Sequence, residues 1–406
     1  MDKVKDLSIY EKKFSEDPSL FNDFQAMDFV KELKNQNRLD EAIEAGKTFL
    51  QYDALTSFKN QYAYALYNKY INISDEEIEN KPTLFESIAN EIISLTVQEK
   101  YSPLEVTVNK MIKRVLKNKP VDYKQLNQLL SHLDPELCDG RPMNVQGHEA
   151  ESRKERYYRL KVRALYELGD YKECIEVANK AVDEDLKWHN HALNWVQFYK
   201  AESLFKLGNY DEAEVAYISL GKGIPQGNLD DILVNLYKVT GNTNASNTNL
   251  IYKFFLAGYS FKQLKLYQAI DEMIKADASQ TDLIALSSSY LYKLLEENNK
   301  PVDAYVLADQ YKEKTSSELY DRLYNILMKN LSSYIKRQSG KVTRYFEDHE
   351  YGNIISKGNQ VFFRQADFIY DVDVERGDKV EFSVVKNYDV KRKTITTKAV
   401  LIKSEY

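Results

Sequence analysis

At Gln338-Ser339 the apolar residues of this chain change their spacing, and that change limits the folds open to it more than any other feature. From about Leu20 to Arg337, apolar and aromatic residues recur every three or four positions, broken by short Gly, Asn, Asp and Pro punctuation. That is the spacing of helices that each bury one stripe. From Gly340 onward the residues become β-branched and aromatic and alternate, as in Lys379-Val380-Glu381-Phe382-Ser383-Val384 and Thr394-Ile395-Thr396-Thr397-Lys398-Ala399-Val400. Alternation is the period of strands with one buried face. With only 14 Gly and 8 Pro in 406 residues, scarce turn-formers favour long helices in the first region. The chain therefore reads as mainly α, with a small C-terminal β domain.

Within the helical region two segments repeat. Tyr158 to Asp185 reads YRLKVRALYELGDYKECIEVANKAVDED, and Phe198 to Gly221 reads FYKAESLFKLGNYDEAEVAYISLG. Each is a helix, a Gly-Asp-Tyr or Gly-Asn-Tyr turn, and a second helix with small residues on its inner face. Gly169 and Gly208 can take the left-handed conformation that ends a helix, and Asp170 and Asn209 then lie at the start of the next one. These segments resemble the tetratricopeptide repeat: Gly208-Asn209-Tyr210-Asp211-Glu212-Ala213 matches its turn fully, and Gly169-Asp170-Tyr171-Lys172-Glu173-Cys174 departs only in Cys174. The turn glycines are 39 residues apart, against the family's usual 34, so the stretch Trp188 to Trp195 is expected to lengthen a helix or a loop. Weaker copies stand at Asn37-Arg38-Leu39-Asp40-Glu41-Ala42 and Asn299-Lys300-Pro301-Val302-Asp303-Ala304. The resemblance implies an irregular α-solenoid, in which each helix pair buries its stripe by stacking on its neighbours. Asp134 to Ser152 lacks apolar periodicity and is expected to be a loop or a boundary between helical lobes. Gly221 to Gly227 and Gly241 to Asn249 are lesser punctuation. Three regions result: residues 1–133, helical with degenerate repeats; 153–338, the tetratricopeptide-like repeats; and 340–406, the β domain.

About five short strands in under seventy residues are too few for a sandwich, and a small closed barrel of oligonucleotide-binding (OB) type is the economical way to remove their edges. Here the sequence resembles the cold-shock domain. Gly340-Lys341-Val342-Thr343-Arg344-Tyr345-Phe346 is similar to its first strand, Tyr351-Gly352-Asn353-Ile354-Ile355 to its first ribonucleoprotein motif, and Val361-Phe362-Phe363-Arg364 to its second. Arg376-Gly377-Asp378-Lys379-Val380-Glu381-Phe382 is similar to its turn and fourth strand. Strand alternation sends Tyr351 and Asn353 one way and Gly352 and Ile354 the other, and sets Phe362 and Arg364 against Val361 and Phe363. The resemblance implies single-stranded RNA or DNA binding through Arg344, Tyr345, Tyr351, Asn353, Phe362 and Arg364, with Phe368 as a further aromatic. Exposed rings stack unpaired bases at roughly 1–3 kcal/mol each. Three family aromatics are replaced: the outward tryptophan aligns with Arg344, the second aromatic of the first motif is Asn353, and the usual His-Phe is Arg364-Gln365. A guanidinium can still stack on a base and reach a phosphate, with weaker stacking and stronger salt dependence.

Charge is divided between the regions. The chain carries 56 Lys and Arg against 62 Asp and Glu, net −6, which gives no general attraction to nucleic acid or membranes. Residues 340–406 hold 12 basic and 11 acidic side chains, net +1, and the rest carries −7. Tight binding driven by phosphate alone is therefore not expected of the barrel. A local basic face is formed by Lys110, Lys113, Arg114 and Lys117 on a helix spanning Pro103 to Asn118, opposite Val108, Met111, Ile112, Val115 and Leu116. It is a secondary candidate for phosphate contacts, with an ordinary solvated face as the commoner explanation. Arg153, Lys154, Arg156, Arg159, Lys161 and Arg163 crowd one helix start, where positive charge opposes the dipole and calls for an acidic neighbour or an anion.

Two cysteines, Cys138 and Cys174, exclude a disulfide scaffold or a thiolate zinc site and fit a reducing compartment. Trp188, His189, His191 and Trp195 read as core packing and ordinary surface histidines, and Cys138, His148 and His132 lack zinc-ligand spacing. There is no phosphate loop, nucleophile elbow, metalloprotease helix or dinucleotide glycine pattern. The first ten residues mix both charges without an apolar run, so no export is expected, and no apolar stretch approaches the roughly 20 residues of a membrane span. The expected protein is a cytoplasmic, non-enzymatic adaptor without cofactor or metal, binding single-stranded RNA or DNA through the barrel and a protein partner in the solenoid groove. Two alternatives stand beside it: an interaction scaffold that binds no nucleic acid, and an accessory of a bacterial defence or mobile-element nucleic-acid system. Lys-, Asn-, Ile- and Tyr-rich usage suggests an AT-rich bacterial genome. Oligomeric state is left open.

Overall fold

The computed structural model describes residues 6–258, 335–368 and 372–405. The weak repeat at Asn299 to Ala304 lies outside the described residues. Those described are mainly helical and end in a closed five-stranded barrel of OB type. The chain divides into two compact units, residues 1–199 and 200–406.

The first unit contains α1 (Ser8–Glu16), α2 (Asp23–Asn35), α3 (Leu39–Phe49), α4 (Lys59–Leu66), α5 (Asp75–Asn80), α6 (Pro82–Leu95), α7 (Pro103–Val115), α8 (Tyr123–Leu130), α9 (Arg153–Leu168) and α10 (Tyr171–Asp183). The unit boundary falls inside α11 (Ala192–Lys206). At the N-terminal end the core is a chain of rings: Phe21 lies 5.0 Å from Phe49, and Phe49 lies 5.7 Å from Phe58. Many of the chain's 31 Tyr and 17 Phe are buried in this way and are structural. A second cluster joins Tyr158, Val162, Leu165, Cys174, Ala178 and Val196, with Trp188 and Trp195 packed against it.

One turn geometry recurs. Gly169 has φ +81°, and the Asp170 N–H donates back to the Leu165 carbonyl at 2.9 Å. Gly208 has the same φ, and the Asn209 N–H reaches Leu204 at 3.0 Å. Asn37, at φ +59°, and Arg38 repeat it between α2 and α3. These are Schellman ends, which need a left-handed residue and so select Gly or Asn. The aromatics flanking the two Gly turns meet across them, Tyr166 with Tyr171 at 5.9 Å and Phe205 with Tyr210 at 5.5 Å. Asp170 and Asn209 occupy the N-cap positions, but neither side chain makes a capping hydrogen bond. The stretch from Glu184 to His191 is a loop, which accounts for the wider repeat spacing.

Asp134 to Ser152 is not plain loop. After a 3-10 turn at Pro135–Leu137 it forms a hairpin, β1 (Met143–Val145) with β2 (His148–Ala150). Gln146 and Gly147 both have positive φ, +53° and +84°, the pattern of the two-residue turn that matches strand twist.

The second unit continues with α12 (Tyr210–Leu220), α13 (Leu229–Val239) and α14 (Thr243–Gly258), then β3 (Gln338–Phe346), β4 (Tyr351–Ser356), β5 (Asn359–Arg364), β6 (Lys379–Asp389) and β7 (Thr394–Ser404). The punctuation at Gly241 is a further turn of the recurring kind, with φ +72° and Asn242 N–H bonded to Tyr237 at 2.8 Å. The barrel order is β3-β4-β5-β7-β6, closed by β6 against β3, with β5 and β7 parallel and the other pairs antiparallel. Closure gives every strand a partner on both sides, the β5–β7 contact being made at Phe362 opposite Lys398. Val342, Ile354, Val361, Phe363, Phe368, Val380 and Phe382 fill the interior.

Helices α12 and α14 pack on β6 and β7. Lys386 on β6 pairs with the buried Glu214 on α12 at 2.6 Å. On α14, buried Tyr252 bonds to Asp367, and Lys398 on β7 meets both, at 2.8 Å and 2.7 Å. At the entry to β3, Arg337 donates to the Leu401 and Glu381 carbonyls at 2.8 and 3.2 Å and ties β6 to β7.

Candidate nucleic-acid interface

The β6 and β7 side of the barrel is occupied by helices, which leaves the outer face of β3, β4 and β5 to be assessed. On β4 Gly352 and Ile354 are buried, while Tyr351 and Asn353 are half-buried. On β5 Val361 and Phe363 are buried, Phe362 is half-buried and Arg364 exposed. Both strands follow the alternation expected of them. Register then sets neighbours across the face: Phe346 opposite Tyr351 opposite Arg364, and Arg344 opposite Asn353 opposite Phe362. On β3 a bulge between Val342 and Arg344 breaks the alternation. Without it Arg344 would share the inner side of Val342; with it Arg344 points outward and Tyr345 inward.

Five of the six expected residues therefore share this face: Arg344, Tyr351, Asn353, Phe362 and Arg364. Tyr345 does not. Its ring lies parallel to that of buried Phe363, 6.2 Å away and 3° from coplanar, and its hydroxyl bonds to the Gln365 side chain. Removal from water raises its phenol pKa. Phe368 also leaves the set, because it is 1% exposed and packs edge-on against Phe363 in the core.

Two residues join the face that the sequence reading missed. Phe346, 42% exposed, meets Tyr351 at 5.1 Å, and the His349 imidazole lies nearly parallel to Tyr351 at 5.8 Å. Tyr351 in turn meets Phe362 at 5.8 Å. The signal for Phe346 was its place two residues after Arg344 on one strand. His349 sits in the 3-10 turn Glu347–His349, where alternation gives no guide. The result is an aromatic group of Phe346, His349, Tyr351 and Phe362 with a guanidinium at each side. Glu347, Asp348 and Glu350 are exposed in the same turn, so the local field is mixed. Such a surface can hold flat apolar groups by stacking, with the two arginines adding a stack or an ion pair.

The other basic features are spent on protein contacts. Lys110 donates to the Ile73 carbonyl at 3.0 Å, Lys117 pairs with Asp75, and Arg114 lies over the Phe85 ring at 5.6 Å. Lys113 is exposed, so the four do not present one open basic face. The crowded start of α9 has acidic neighbours throughout. Arg153 pairs with Glu105 at 2.7 Å, Lys154 with Glu184 at 2.8 Å, Arg159 with Glu151 at 2.9 Å and Lys161 with Glu173 at 3.3 Å.

His189 is not an ordinary surface histidine. Its Nδ1 lies 2.8 Å from Glu155 and its Nε2 lies 3.0 Å from Glu149 on β2, and its backbone N–H also donates to Glu155 at 2.7 Å. The Glu155 and Glu149 carboxylates raise its pKa above the usual imidazole value. Burial pushes the Cys138 thiol up to about 11, which keeps it protonated and unreactive at neutral pH. Among the described residues no three His, Cys, Asp or Glu side chains are grouped to hold a metal ion, and no helix is long and apolar enough to cross a membrane. No protein-family model and no curated protein matches the chain.

Proposed function

We propose that the chain is a non-enzymatic adaptor: the barrel binds single-stranded RNA or DNA in the manner of a cold-shock domain, and the tetratricopeptide-like helical array engages a protein partner. The observation that carries this reading is the outward aromatic group of Phe346, His349, Tyr351 and Phe362, flanked by Arg344 and Arg364 on three adjacent strands. Unpaired bases offer flat faces that such rings stack on regardless of sequence, and the arginines reach the intervening phosphates. In a duplex those faces are covered by the neighbouring stacked pairs, so single strands are preferred over duplex. With the local charge mixed, stacking supplies most of the affinity. Joining a nucleic-acid module to a protein-binding module raises the effective concentration of the partner along the strand.

The test is fluorescence anisotropy of labelled oligo(U) and oligo(dT) with the full chain. Phe362→Ala and Tyr351→Ala should each weaken binding by about 5- to 150-fold, the equivalent of one lost stack. Absence of binding, or unaltered affinity in both variants, refutes the reading and favours the scaffold alternative. In that alternative the same face packs against another protein.

A further inference from the structure

We infer that the single-stranded nucleic acid does not stop at the aromatic group but runs on along β5 into a cleft walled by the turn between α13 and α14, which forms a second nucleotide subsite. This rests on the proposed function of the barrel. The cleft has a volume of about 740 Å³ and opens beside the β4–β5 hairpin. Its polar lining includes Asn242, Asn244, Gln338, Gln360, Lys336 and Lys357, and among the described residues no Asp or Glu lines it. That composition differs from the aromatic face, where three carboxylates crowd the turn. Neither lysine makes an ion pair among the described residues, whereas the nearby Lys386 and Lys398 are spent on Glu214 and Asp367.

Continuity comes from strand alternation. Arg364, Phe362 and Gln360 point to the same side of β5, so a strand stacked on Phe362 meets Gln360 next and then the cleft. From Tyr351 to Lys357 the strand direction covers about 20 Å at roughly 3.3 Å per residue. An extended single strand advances by about twice the 3.4 Å step of a duplex strand, so filling both halves takes about four nucleotides, the low end of the roughly 4–16 that one OB fold accommodates. The two halves use different chemistry. Rings hold bases by their faces; Gln338 and Gln360 carry a donor and an acceptor suited to base edges, Asn242 and Asn244 keep their NH2 donors while their Oδ1 atoms accept the Ala245 and Lys336 N–H groups at 3.1 and 3.2 Å, and lysines contact phosphates without reading sequence. The amides also give the cleft a means of preferring one base over another, which the aromatic face lacks.

The experiment measures binding of 2-mers, too short to reach from the aromatic group to the cleft, and 12-mers of oligo(U) and oligo(dT) to the full chain across a salt series. The double variant Lys336→Gln with Lys357→Asn keeps a residue tolerant of the left-handed backbone at position 357, where φ is +49°. It is expected to bind 2-mers as the wild type does, to lose the gain in affinity from 2-mer to 12-mer, and to lower the 12-mer salt slope by about 1.4. Asn244→Asp, which places a carboxylate in the cleft, should weaken the 12-mer alone; circular dichroism checks that both variants fold. If Phe362→Ala loses binding while the cleft variants bind 12-mers with wild-type affinity and slope, the cleft inference fails and the barrel reading stands. Equal losses for 2-mers and 12-mers in the cleft variants also overturn it. If no oligonucleotide binds the wild-type chain, both fall together.

Discussion

The Tyr252 hydroxyl on α14 donates to the Asp367 carboxylate at 2.8 Å, and the same carboxylate accepts the backbone N–H of Arg364, the last residue of β5, at 2.8 Å. Lys398 completes the group, 2.7 Å from Asp367 with its side chain 12% exposed. A helix is thereby fixed to the inner end of the strand that presents Phe362 and Arg364. Burial and the neighbouring carboxylate together raise the Tyr252 pKa, so the hydroxyl stays a donor at all ordinary pH.

Removing parts of this group should have unequal effects. Tyr252→Phe removes the hydrogen bond to the Asp367 carboxylate and the one accepted from Lys398, leaves those two paired with each other, and should cost about 1.5–3 kcal/mol. Asp367→Ala strands the Lys398 ammonium in a buried place and should cost about 3–5 kcal/mol. Urea unfolding of the full chain, followed by circular dichroism, measures both; equal effects below 1 kcal/mol would show that the contact holds nothing in place.

Gly352 is set by steric need, not by its backbone angle. A Cβ there would collide with the Arg344 carbonyl and approach the Phe363 ring to 2.6 Å. The carbonyl cannot move without opening the β3–β4 pair. Gly352→Ala should therefore destabilise the barrel by about 1–3 kcal/mol, and it should weaken oligonucleotide binding by displacing Arg344. A variant as stable as the wild type at the same urea midpoint contradicts this account.

The period change near Gln338 was enough to divide the chain into helices and barrel, because alternation and 3.6-residue spacing are imposed by burial and need no distant partner. The Gly169 and Gly208 turns were equally legible, since a left-handed helix end selects glycine. Two adjacent residues on one strand, Arg344 and Tyr345, could not both face outward, and sequence spacing did not say which would. The bulge before Arg344 decided it, and a bulge has no signature in side-chain alternation. The β1–β2 hairpin escaped for a similar reason: Gln146 adopts a positive φ where Asn or Asp is the usual sign. The acidic partners of α9 come from residues as far away as Glu105, so only the fold could show that its basic start is neutralised.

Arg153 and Glu105 give a direct measure of that neutralisation. The Glu105 side chain is 1% exposed, and its Oε2 lies 2.7 Å from Arg153 and accepts the Tyr101 N–H at 2.6 Å. Arg153 also lies over the Tyr101 ring, 4.4 Å from its centre. Arg153→Ala leaves a buried carboxylate without its cation and should cost about 3–5 kcal/mol, whereas Arg153→Met with Glu105→Gln should recover most of the loss. Denaturant midpoints of the three proteins test this. A double variant no better than Arg153→Ala alone would mean that packing, not charge, dominates the site.

The His189 contacts predict how stability responds to pH. Protonated, the ring donates from Nδ1 to Glu155 and from Nε2 to Glu149; neutral, it keeps a proton on one nitrogen and must give up one of these bonds. Because the folded pKa is raised, folding takes up a proton in the interval between the unfolded value and the higher folded one. The extra stability is complete below the unfolded imidazole pKa and is lost as pH rises through the folded one. The difference in melting temperature between wild type and His189→Gln should therefore be largest near pH 5.5 and shrink toward pH 8.5. A gap of about 2–4 °C at the acid end corresponds to roughly 1 kcal/mol in a unit of this size. Glu149→Gln, which removes only the β2 contact, should reduce the gap without abolishing it, since Glu155 still faces Nδ1. A gap that stays constant, or grows with pH, would show that the imidazole is not held in its charged form.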